Sequence, residues 1–182
     1  GMPKVVQHVQ SYPLGHILTA KYWQQVKNNG LHLTVSDSGW AKFSWGKIYG
    51  QWICGSAIMG YDMDKFVSEK LLRVIEKYKV TTFCAPATMY RFMIKEDLSS
   101  FDLSSVKHFC MAGEPLNPSV MEEWRKISGK KIYEGFGQTE TPVILANYQW
   151  SEPQPGSTGR PAASFNIKIL NDEGKECEIG EE

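Results

Sequence analysis

Short runs rich in β-branched and aromatic residues alternate with amphipathic helical patterns along most of this 182-residue chain, and that alternation leaves few folds open. The runs LHLTVSD (31–37), SAIMGYD (56–62), VTTFCAPA (80–87), VKHFCMAG (106–113) and KKIYEGFG (130–137) read as strands. Helical patterns are expected over 19–27, 40–53, 64–78, 88–95 and 118–127. The clearest is 64–78, where Phe66, Val67, Leu71, Val74, Ile75 and Tyr78 share one face opposite a charged one. The spacing predicts βαβ units, hence an α/β fold with a mainly parallel sheet flanked by helices on both faces over residues 1–142. After Pro142 the helical patterns stop. VILANYQW and SFNIKILNDEG (164–174) read as strands separated by the Pro- and Gly-rich SEPQPGSTGRPAA. Residues 143–182 are therefore expected to start a small antiparallel β unit, truncated within CEIGEE.

Charge narrows the functional classes. Lys plus Arg equals Asp plus Glu at 20 each, so no bulk positive field is available to hold nucleic acid, and a bound anion must be held by local geometry. No stretch approaches the ~18 consecutive apolar residues of a membrane span. Cys54, Cys84, Cys110 and Cys177 lack CxxC spacing, which points to reduced thiols and a cytoplasmic protein. The four histidines lack the spacing that would bring two imidazoles onto one helix face for zinc.

Two loops at predicted strand ends carry most of the chemistry, since ligands of parallel sheets bind outside the strands' carboxyl ends. In Tyr133-Glu134-Gly135-Phe136-Gly137-Gln138-Thr139-Glu140-Thr141 the strand breaks at glycines that let backbone approach a ligand. Phe136 offers a stacking face, Thr139 a phosphate donor and Glu140 an oxygen ligand for a hard cation such as Mg²⁺. In Ala112-Gly113-Glu114-Pro115-Leu116-Asn117-Pro118, Gly113 and Pro115 shape the turn, while Asn117 and Pro118 also make a sound helix start. Ser36-Asp37-Ser38-Gly39-Trp40 and Gly156-Ser157-Thr158-Gly159-Arg160-Pro161 are weaker features. Taken alone, Trp40 reads first as a buried core tryptophan, and Arg160 either meets a carboxylate or sits in solvent.

In this order, the segments resemble the adenylate-forming (AMP-binding) superfamily of acyl-CoA synthetases, luciferases and peptide-synthetase adenylation domains, with most similarity to acetyl- and medium-chain acyl-CoA synthetases. YEGFGQTET is similar to the family's nucleotide core, AGEPLNP to its adenine-contacting loop, GSTGRP to its Gly-Ser-x-Gly-x-Pro turn and SDSGWAKFSWGKIYGQWICG to the segment beside the acyl pocket. GMPK, with Lys4, is similar to the end of its phosphate loop.

The resemblance implies that Gly113, Glu114 and Pro115 flank adenine on one side and Phe136 on the other. It further implies that Glu134 meets the adenine amino group, with Gly135, Gly137 and Gln138 completing the nucleotide loop. Thr139 would contact the α-phosphate and Glu140 Mg²⁺, these two being the catalytic residues. Trp40 and Gly137 would border the acyl pocket. Acetate-specific relatives carry tryptophan at the place of Gly137, so an acyl group longer than acetyl is expected.

The implied reaction joins a small-molecule carboxylate to ATP as an acyl-adenylate and passes the acyl group to coenzyme A. The family's ribose-binding aspartate and C-terminal lysine have no counterpart in the sequence, so the chain alone is expected to be inactive and to self-associate through apolar surface. A non-catalytic, truncated nucleotide-binding or interaction domain of the same fold is the alternative. An unrelated dinucleotide-binding protein is disfavoured because no GxGxxG follows a predicted strand.

Overall fold

A computed structural model describes residues 2 and 4–181. Gly1 and Pro3 of the GMPK segment, and Glu182, lie outside the described residues. Among those described, seven strands form one sheet in the order β2-β1-β3-β4-β5-β6-β7. They are β1 (Leu31–Thr34), β2 (Ala57–Ile58), β3 (Thr82–Ala85), β4 (His108–Met111), β5 (Ile132–Gly137), β6 (Val143–Ala146) and β7 (Arg160–Pro161). Pairing is parallel from β2 to β5, and β6 and β7 add antiparallel. The α/β class and the antiparallel C-terminal end thus match the expectation from the sequence.

The period-two alternation of the strands sorts their side chains into two different cores. Leu33, Phe83, Phe109 and Ile132 face α4 (Ser68–Tyr78), α5 (Ala87–Met93) and α6 (Pro118–Ser128), and are sealed by Leu71, Leu72, Ile75, Tyr90, Met93 and Trp124. Each such aliphatic side chain contributes about 2 kcal/mol by burial. The opposite face carries His32, Thr34, Cys84, His108, Cys110 and Tyr133 and is polar although buried. Its groups are paired with one another and with the N-terminal helices. His32 Nδ1 lies 2.8 Å from Thr82 Oγ1 and Nε2 lies 2.7 Å from Thr34 Oγ1. His108 Nε2 donates to Trp23 O at 2.7 Å, and Trp23 Nε1 donates to Tyr133 O at 3.1 Å.

That polar face also explains where helices depart from expectation. α1 (Tyr12–Leu18) starts seven residues before the predicted helix at 19–27, with a proline in its first turn, and runs into a π turn at Thr19–Trp23. The single helix expected over 40–53 is instead α2 (Ala41–Ser44), a π turn at Trp45–Tyr49, and α3 (Gly50–Ile53). Within the π turn the Gly46 carbonyl accepts from Gln24 Nε2 at 2.7 Å, Thr34 Oγ1 at 3.0 Å and Gln51 Nε2 at 3.2 Å, which ties this wider turn to the polar face of the sheet.

Three further elements differ from the sequence reading. The helix predicted from residue 64 begins at Ser68, and Lys79 ends it in left-handed conformation. Strand 56–62 is reduced to the two residues of β2. The strand expected over 164–174 does not join the sheet: only Leu170 and Glu176 bridge, Ile169 and Leu170 are exposed, and β7 takes the place beside β6. No ladder forms there among the described residues, although β7 leaves an outer edge of the sheet unpaired. α6 follows its sequence signals, Asn117 Oδ1 accepting from Ser119 N at 2.9 Å and Gly129 (φ +66°) closing its end.

Candidate functional site

β4 and β5 are neighbouring parallel strands, with Met111 opposite Glu134, so the loops that leave them emerge side by side. Glu134 ties three segments together. Its carboxylate accepts from Thr158 Oγ1 at 3.3 Å and from the Leu116 backbone N–H, joining β5 to the loops at 112–117 and 156–159. Burial raises its pKa, which these two donors oppose. Glu114 turns toward α5: the Thr88 N–H donates to it at 2.5 Å and Arg91 stands 3.5 Å away. Burial acts to raise the Glu114 carboxyl, but the Thr88 hydrogen bonds and the charges of Arg91 and Lys42 hold it below its usual range.

Between the loops lies a cavity of about 330 Å³. Of the residues singled out in the sequence, Trp40, Gly113, Gly137, Gln138, Thr139 and Glu140 line it. Glu114, Pro115, Glu134, Gly135 and Phe136 lie beside it without lining it, and Phe136 is 43% exposed. Lys4 is exposed on the N-terminal segment and does not reach the lining. Gly137 has a backbone reason to be glycine: the β5–β6 register shifts there, and a Cβ would lie 2.5 Å from Pro142 O.

Four further residues shape the site. Lys42 enters the cavity from α2 and donates to Ala112 O at 2.9 Å; burial lowers its ammonium pKa. His8 Nε2 donates to Thr139 O at 2.6 Å, and Tyr12 Oη is 2.9 Å from Thr139 O and 2.8 Å from Thr141 O, so the N-terminal segment clamps the loop bearing Thr139 and Glu140. Burial and the Glu140 charge push the Tyr12 hydroxyl up to about 12. His16 lines the cavity, and among the described residues neither of its ring nitrogens has a partner; burial lowers it to about 4. The spacing of four among His8, Tyr12 and His16 was the available signal, legible only once α1 is known to begin at Tyr12.

Among the described residues no group of three or more His, Cys, Asp or Glu side chains gathers to hold a metal ion. Glu140 is exposed at the cavity, next to the Thr139 hydroxyl. One carboxylate and a hydroxyl fit Mg²⁺ only where a ligand's phosphate oxygens and water complete the octahedron, its ordinary mode beside nucleotides.

The AMP-binding enzyme family matches residues 1–182. The chain belongs to that family. It is 38% identical to the mitochondrial acyl-coenzyme A synthetase ACSM3 of Mus musculus and 36% identical to its Homo sapiens counterpart, in both cases over the whole chain. It spans about a third of their length, 32% and 31%. Among solved structures, an anthranilate CoA ligase in complex with anthranoyl-AMP superposes with a TM-score of 0.83 at 24% identity, covering 92% of this chain and 33% of that one. A benzoate CoA ligase from Burkholderia xenovorans LB400 gives 0.83 at 19% identity, covering 96% and 36%. These likenesses carry the adenylate-forming fold. The relatives' names overturn the cytoplasmic location inferred from the cysteines: both are mitochondrial proteins, and free thiols are equally at home in any reducing compartment.

Proposed function

We propose that this member of the AMP-binding family forms the nucleotide- and acyl-binding part of an AMP-forming acyl-CoA synthetase, which activates a carboxylic acid with ATP as an acyl-adenylate and passes the acyl group to coenzyme A. One observation carries the reading: the loops after β4 and β5 open onto a single cavity that Trp40 and Lys42 also line. A purine fits between the Gly113-Glu114-Pro115 turn and Phe136, with Glu134, Gly135 and Gln138 along its edge. Thr139 then donates to the α-phosphate, and Gly137 and Trp40 border the acyl group. Lys4 follows the nucleotide phosphates from the N-terminal segment. Glu140 would hold Mg²⁺, which when bound would supply charge neutralisation at the α-phosphate as the carboxylate attacks it and pyrophosphate leaves. The chain's own part is positioning: His8 and Tyr12 fix the Thr139 carbonyl, and the β5–β6 pairing fixes Gly137.

The relatives' names favour a mitochondrial parent protein, and glycine rather than a bulky side chain at position 137 favours an acyl group larger than acetyl. We take residues 1–142 as the α/β subdomain and 143–182 as the start of a β-rich one. Calorimetric titration with AMP tests the site: saturable binding that Phe136→Ala and Thr139→Val each weaken supports it. Binding that neither substitution alters would sink it. Pyrophosphate release from ATP and octanoate by the chain alone would decide against the non-catalytic alternative.

A further inference from the structure

The strand order reverses at β1. The connection from β1 to β2 crosses the His32–Cys84 face through α2 and α3, whereas α4, α5 and α6 cross on the Phe83 face. Loops leaving β1 and β3 therefore turn to opposite faces, and such a reversal opens a crevice outside the carboxyl ends of the strands. Here it is a cavity of about 640 Å³, reaching from the end of β1 to the loops that follow β2 and β3. Its walls are largely apolar, with Leu33, Phe43, Ile58, Phe66 and Met89 among them.

Lys47 also lines this cavity and is only 5% exposed. Among the described residues its ammonium has no hydrogen bond and no ion pair; it sits 4.8 Å from the centre of the Phe43 ring. Asp37 and Asp62 stand exposed at the rim, and neither is paired with it. The Lys47 ammonium opens onto the cavity without an acceptor among the described residues, so an anionic group entering there would find an unpaired cation in the wall. The helical segment that supplies Lys47 is the wall between two cavities. Lys42, Trp45 and Gly46 line the one beside Gly113, while Phe43, Lys47 and Ile48 line this one.

We propose that the switch-point cavity is a second binding site, for a small amphiphilic carboxylate whose head group accepts from Lys47 Nζ and whose apolar body lies against Leu33, Phe66 and Met89. A single ammonium between apolar walls suits a monoanion with an apolar body, and the two rim aspartates disfavour a dianion more strongly than a monoanion. The assignment is independent of the adenylate-forming reading, which concerns the other cavity.

Met63 and Met89 line this cavity and no methionine lines the one beside Gly113, so methyl-labelled methionine reports on this site alone. Octanoate titrated into the full chain is expected to shift both methyl resonances saturably, with 1-octanol binding about tenfold more weakly for want of the charge-assisted hydrogen bond. Lys47→Met should erase that preference. Unmoved methyl resonances, or equal affinity for acid and alcohol in the unaltered chain, overturn the proposal whether or not the variant folds. A parallel AMP titration, read at residues of the other cavity, keeps its failure distinct from failure of the nucleotide site.

Discussion

Tyr12 shows how one hydroxyl can govern a loop that lies more than a hundred residues away. It meets the carbonyls of Thr139 and Thr141 at one time, although a single proton serves only one of them at once. Tyr12→Phe removes about 1 kcal/mol of loop ordering, and AMP affinity should fall about fivefold while the fold persists. Unchanged affinity by calorimetry would show that the clamp does not hold the phosphate-facing loop. The buried histidines give a second expectation. Burial lowers His16 and His108 to about 4 and His32 to about 3, so all three are neutral in the folded protein at pH 7. In the unfolded chain they protonate near 6.5, so below that pH the unfolded state binds more protons, and stability falls as pH drops from about 6.5 toward 4. Urea midpoints at pH 7 and pH 5 check this; equal midpoints would refute the neutral, buried assignment.

At the scale of elements, close approach decides where glycine is obligatory. α3 crosses α1 so tightly that a Cβ on Gly50 would overlap the His16 carbonyl oxygen and crowd Ala20. Gly50→Ala is therefore expected to lower stability by about 1–3 kcal/mol, seen as a lower melting temperature. Gly137→Ala acts on the other side of the site: to clear Pro142 O the β5–β6 register must give way. It should weaken AMP binding together with stability. A well-folded Gly137→Ala chain with normal affinity would leave acyl-pocket space as the sole reason for this glycine. The π turn at Trp45–Tyr49 belongs to the same scale, because it sets Lys42 and Lys47 toward different cavities.

For the molecule as a whole, several exposed apolar groups lie outside both cavities. Trp52 is 60% and Ile53 48% exposed on α3, next to edge strand β2, and Trp150 is 69% exposed. An edge strand beside uncovered aromatic surface favours association. The chain should scatter light as more than a monomer, and Trp52→Lys should shift it toward one; a monodisperse monomer would contradict this. The order of strands and helices, the capped start of α6 and the two loops around Glu114 and Phe136 were legible in the sequence, because period, turn residues and caps act over a few neighbours. The tertiary structure alone decided that Gly46 sits in a π turn, that 164–174 stays outside the sheet, that Lys42 and Lys47 face different cavities, and that Tyr12 reaches the Thr139 carbonyl. Those contacts depend on partners brought close by folding, sometimes from more than a hundred residues away, which no local pattern can encode.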